Sequence, residues 1–196
     1  MGHRTARLSV SLLAAAAVLA TPLPSAADTM AGGGPLLATI TYTTGGIPIP
    51  PHACVPSSSF TLSGGSPAGV VVQLVNDEYV GPITVSGSGT TPCADSALEF
   101  GTMPAGSPVT IVGNSPVTGS SLACNDIARP LTGQYLRIGA HLHIALQGAC
   151  SVNGSTPSFA IVAAEGELVP VPGTVPAPGA VVPQWQFAGA FALDVL

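Results

Sequence analysis

The chain contains no lysine. Its four basic side chains are all arginines, and two of them, Arg4 and Arg7, lie at the very N-terminus. Nucleic-acid binding needs a cationic surface to displace counterions from phosphates. An anionic membrane surface asks for the same, so neither partner fits. Aromatic residues make up only 5% of the chain, too few to build a stacked platform for sugars.

Other absences narrow the class further. Apolar residues do not recur at helical spacing over three turns, which excludes an α-helical core. The chain has no GxSxG elbow, no HExxH, no P-loop and no GxGxxG after a strand. Serines are plentiful, yet none sits in a recognisable nucleophile context. Asp77, Glu78, Asp95 and Glu99 are scattered through turn-rich sequence and read as solubilising acids rather than a glycosidase pair. The uncharged, largely apolar run Leu8 to Ala20 is shorter than the roughly 20 residues a membrane helix needs.

That run is part of an export signal. His3, Arg4 and Arg7 form a short cationic start, and the small residues Ser25 and Ala27 suit signal-peptidase cleavage. Residues 1–27 are therefore expected to be a signal peptide, cut after Ala27, with a cut after Ala31 as the alternative. Unpaired arginines point to Sec export, and the lack of a cysteine just after the run argues against a lipid anchor. Residues 28–196 form one expected domain, large enough to bury a core. Two arginines then stand against nine acids, a net charge of −7. The Ala, Gly, Pro and Val bias with no lysine fits a GC-rich bacterial genome.

All four cysteines, Cys54, Cys93, Cys124 and Cys150, lie in the exported part. An even count in an oxidising compartment predicts two disulfides. Of the three possible connectivities, Cys54–Cys93 with Cys124–Cys150 is preferred, because sequence neighbours in a β protein tend to be spatial neighbours.

Short β-rich runs alternate with Gly, Pro, Ser and Asn, the pattern of an all-β protein. The expected fold is a secreted antiparallel β-sandwich of immunoglobulin-like or jelly-roll type. Expected strands cover Leu36–Thr44, Ser59–Gly64, Gly69–Val75, Tyr79–Gly87, a weak "ALEFGTM" and Ser107–Gly113. Gln134–Gly148, Pro157–Val169 and Trp185–Leu196 complete the set. Pro82 marks its strand as an edge or a bulge. Residues 169–184 carry five prolines and read as a semi-rigid crossover loop. Trp185, Phe187, Phe191 and Leu193 share one face of the last strand and are expected in the core.

"GAHLHIALQGAC", Gly139 to Cys150, raises the chemical question. Read as one continuous strand from Gln134, its even positions are all apolar from Leu136 to Leu146. Its odd positions put Arg137, His141 and His143 on the solvent face. Asn153-Gly154 is a strong hairpin signal. A strict two-residue turn would set Glu165 beside Leu142 and Glu167 beside Ala140, burying two carboxylates. A one-residue bulge instead sets His143 opposite Glu165 and His141 opposite Glu167, with Phe159 and Ile161 moved outward. The bulged register is expected.

His141, His143, Glu165 and Glu167 then form one patch, with Arg137 nearby and His52 available as a third imidazole. Such a set suits zinc or copper, general acid–base work, or plain cross-strand pairing. The His-x-His pair resembles the metal motif of the cupins, β-barrels that use a histidine pair and a following glutamate. Gln147 stands where that glutamate would be, and no second motif is visible, so the likeness ends with the two histidines.

The leading expectation is a secreted, non-catalytic bacterial β-domain that binds an extracellular ligand or surface component, with no nucleic acid and no membrane span. The alternatives are a zinc- or copper-binding protein centred on His141 and His143, and a carrier of small hydrophobic ligands.

Overall fold

A computed structural model describes residues 30–43, 45–49, 53–74, 78–171 and 180–196. The proposed signal peptide, His52, Asp77 and the middle of the Pro-rich segment lie outside the described residues. Twelve strands follow in order: β1 Met30–Tyr42, β2 Ile47–Pro48, β3 Val55–Leu74, β4 Glu78–Ala94, β5 Leu98–Met103 and β6 Thr110–Asn114. Then come β7 Ser121–Cys124, β8 Thr132–Ile138, β9 His141–Val152, β10 Ser158–Pro170, β11 Val181–Val182 and β12 Gln184–Val195.

Ten of these form one antiparallel sheet in the order β10-β12-β1-β3-β4-β5-β8-β9-β7-β6, and β9 also pairs with β10. That last pairing closes an eight-strand barrel. The all-β expectation holds, but the expected sandwich is replaced by a closed wall. A sandwich leaves edge strands, whereas closure satisfies every edge. The wall forks between β4 and β9. Thr90 of β4 opens one branch through β5 and β8, while Ile83–Ser86 of β4 pair with β6, which leads through β7 to Leu122↔Val152. β2 and β11 make a separate two-stranded sheet.

Period-two alternation fills the barrel with apolar side chains. Leu36, Ile40, Phe60, Leu62, Ile83, Val85, Ile144, Leu146, Val162, Phe187, Phe191 and Leu193 are all buried. Trp185 is only partly buried, at the rim, where its indole N–H donates to the Val182 carbonyl at 2.9 Å. One space inside the barrel, lined by Leu36, Leu62, Met103, Ile144, Val162 and Phe191 among others, measures about 30 Å³. The two disulfides join Cys54 to Cys93 and Cys124 to Cys150, the preferred connectivity.

Several strands differ from expectation. The expected run Ser59–Gly64 and the described part of Gly69–Val75, as far as Leu74, belong to one long strand, β3, whose register against β4 shifts between Ser66 and Val70. Pro82 lies opposite that irregularity, where three β3 residues face one on β4, so the bulge is on the partner strand and the ladder is interrupted where proline cannot donate. The largest correction concerns Gln134–Gly148, which is two strands. Ile138 faces His141 across a two-residue turn, and Gly139 has φ 59°. Glycine at the first turn position with positive φ matches a type II′ hairpin. A two-residue turn inverts which parity points inward. On β8 the odd residues Tyr135 and Arg137 are buried while Leu136 and Ile138 are exposed; on β9 the even residues Leu142, Ile144 and Leu146 are buried.

Candidate functional site

The β9–β10 hairpin sets the geometry of the histidine patch. Asn153 and Gly154 both have positive φ, 52° and 69°, as a type I′ turn requires. The Ser155 amide donates to the Val152 carbonyl at 2.9 Å, so the turn itself is tight. By Ser158, however, the partner is Cys150. One extra residue is thus absorbed between Ser155 and Ser158. The ladder runs on with Glu165 opposite His143 and Glu167 opposite His141, the bulged register expected from the chain. Phe159 and Ile161 face outward and are about half exposed, as that register requires.

His143 Nδ1 lies 3.5 Å from Glu165 Oε2, and His141 Nδ1 lies 4.0 Å from Glu167 Oε1. All four side chains are more than half exposed. Exposed pairs of this kind contribute ~0–1 kcal/mol each. Among the described residues, no group of three or more His, Cys, Asp or Glu is placed to hold a metal ion. Arg137, expected beside this patch, is instead buried inside the barrel. The β8–β9 turn put it there.

The wall around the histidines carries an ordered pattern. Reading laterally from β5 through β8, β9, β10 and β12 to β1, one row is Phe100, Leu136, His143, Glu165, Ala190 and Pro35. The next row is Leu98, Ile138, His141, Glu167, Ala188 and Leu37. A third holds Thr102, Gln134, Ala145, Ala163 and Ala192. The outer face therefore has an apolar ridge on β5 and β8, a His/Glu stripe on β9 and β10, and an alanine floor on β12. Leu98, Phe100, Leu136 and Ile138 are 50, 57, 39 and 54% exposed. An open groove of about 690 Å³ runs across this face, lined by Phe100, Leu136, His143, Ala163, Glu165, Ala190 and Ala192 among others.

A second constellation lies inside one end of the barrel. Glu99 and Arg137 are both buried, with Arg137 Nη2 3.2 Å from Glu99 Oε2. Tyr135 Oη donates to Glu99 Oε1 at 2.7 Å, and Tyr42 Oη donates to the same atom at 2.9 Å. The guanidinium also donates to the carbonyls of Gly139 at 2.6 Å, Ser96 at 3.3 Å and Asp95. Phe60 packs edge-on against Tyr135, with centroids 5.1 Å apart. Burial, reinforced by the Glu99 charge, pushes both phenols well above their ordinary range. Every donor and acceptor faces protein, so the cluster plugs the barrel end and ties its loops rather than meeting a substrate.

Sequence reading missed this plug. Glu99 alternates with Leu98 and Phe100 on a strand whose other inward residues are Gly101 and Met103. That parity was the available signal. Of the acids weighed as a catalytic pair, Glu99 is sealed in the plug. Asp95 accepts the Ala97 amide at 2.7 Å within its own turn. No protein-family model, curated protein or solved structure matches the chain.

Proposed function

We propose that this protein is a non-catalytic extracellular binding domain whose working surface is the outer wall of β5, β8, β9, β10 and β12. The carrying observation is the apolar ridge of Leu98, Phe100, Leu136 and Ile138, exposed beside the groove. Contiguous exposed apolar surface marks interaction sites in water-soluble proteins. The interior supports a carrier less well, because the space lined by Leu36, Leu62, Ile144 and Phe191 measures about 30 Å³, room for a water or two and far below that of a small-ligand pocket. Two disulfides fit an oxidising compartment. Sec export with cleavage after Ala27 completes the reading. Among the described residues no helix is long and apolar enough to cross a membrane.

Photo-crosslinking tests the wall. p-Benzoylphenylalanine in place of Phe100 should give a discrete adduct in a culture of the producing cells. The same probe in place of Thr61, which faces solvent on β3, should give none. Equal labelling from both positions, or none from either, would sink the assignment.

A further inference from the structure

We infer that the occupant of this wall is a second copy of the same chain, docked about a two-fold axis. The inference rests on the wall being the binding surface and names its partner. A two-fold interface must be self-complementary, because the same patch meets itself. Place the axis parallel to the strands, between β9 and β10. Rotation then brings β9 over the partner's β10 and β8 over the partner's β12, at unchanged height.

The registers already described fix what meets what. His143 falls opposite a second Glu165, and His141 opposite a second Glu167. The intrachain pairs are loose, at 3.5 and 4.0 Å, so both carboxylates and both imidazoles retain bonding capacity. An imidazole keeps a ring N–H to donate whether or not it is charged. In the same operation Leu136 lies over Ala190 and Ile138 over Ala188, so a ridge enters a floor of small residues. Face-to-face sheet packing works by this interdigitation of large and small side chains. The groove of about 690 Å³ reaches the floor at Ala190 and Ala192, where the partner's ridge enters it.

The oligomeric state and one cross-link decide it. Sedimentation velocity of the purified, oxidised protein at about 100 µM should give twice the chain mass, reached at micromolar dissociation constants. Leu136→Glu and Ala190→Glu should each weaken association at least ~100-fold. An unchanged far-ultraviolet circular dichroism spectrum would show that these exposed sites leave the fold intact. Within one chain Leu136 and Ala190 are three strand spacings apart, ~14 Å, beyond disulfide reach of about 7 Å between Cα atoms. Oxidised Leu136→Cys/Ala190→Cys protein should therefore run as a covalent dimer, and Leu136→Cys/Thr61→Cys should not. A wild-type monomer overturns the proposal, as does a dimer that fails to form the Leu136–Ala190 link. An adduct from position 100 to a different molecule would overturn the dimer and leave the binding wall standing. No adduct would remove both.

Discussion

Glu99 and Arg137 are a charge pair without access to water, and their value depends on being complete. Moving two ions out of water is expensive, and the return comes from good geometry and full hydrogen bonding. Here Glu99 accepts from two phenols and a guanidinium, and Arg137 spends its remaining N–H groups on three loop carbonyls. Glu99→Gln leaves the guanidinium without a counter-charge, and Arg137→Met leaves the carboxylate with phenols alone. Each should lower unfolding free energy by ~3–5 kcal/mol in urea titrations. The double variant should lose clearly less than the sum, because the second substitution removes the charge the first one stranded. Additivity within ~0.5 kcal/mol would show that the two act independently. The exposed His/Glu pairs stand at the other extreme. The same kind of partnership in water contributes a small fraction of that energy.

At the scale of strands, two neighbouring hairpins were not equally readable. The β9–β10 register could be reached from the chain because a wrong choice buried Glu165 and Glu167. A charge is a strong reporter of side. The β8–β9 turn left no such trace. Leu136 and Ile138 are apolar on the outside, and Leu142 and Ile144 are apolar on the inside, all at even positions. The turn inverts the parity, and the outward ridge restores it, so the alternation looks unbroken. Arg137 was misplaced for the same reason, and with it the whole plug. The barrel was hidden for another reason: closure is a property of the β9–β10 pairing relative to the rest, and local alternation is identical in a sandwich. Gly139 is the residue that could have revealed the turn. Its φ of 59° suits glycine, and a Cβ there would meet nothing within 4 Å. Gly139→Ala should therefore cost about 1 kcal/mol from backbone strain alone. The check is a urea midpoint shift with an unchanged m-value. A loss several times larger would mean that the turn does more than reverse the chain.

The molecule as a whole has three tyrosines, Tyr42, Tyr79 and Tyr135, and burial pushes all three phenols upward. Unfolded phenols titrate near their ordinary value of about 10. Above that pH the unfolded chain binds fewer protons than the folded one, so stability falls as pH rises. Below it the contribution is complete. Phenolate absorbance should thus stay low past pH 10 and appear together with loss of the β-sheet circular dichroism signal. A separate phenolate step at about pH 10 with the sheet intact would contradict the packing around these rings. The disulfides act on the same balance from the unfolded side. Sequence separations of 39 and 26 residues correspond to roughly 3–4 kcal/mol each in the loop-entropy picture.

The position of β12 has a consequence for how the chain reaches this structure. β12 lies between β10 and β1, with Val195 opposite both Ala160 and Met30. Until Gln184–Val195 arrive, the barrel is an open, curled sheet whose two exposed borders can pair with a neighbouring chain. Joining them is among the most non-local steps available to the polypeptide, and such steps are slow because the loop entropy is lost before the contacts form. The time between emergence of β10 and docking of β12 is therefore the interval in which this protein is most exposed to aggregation.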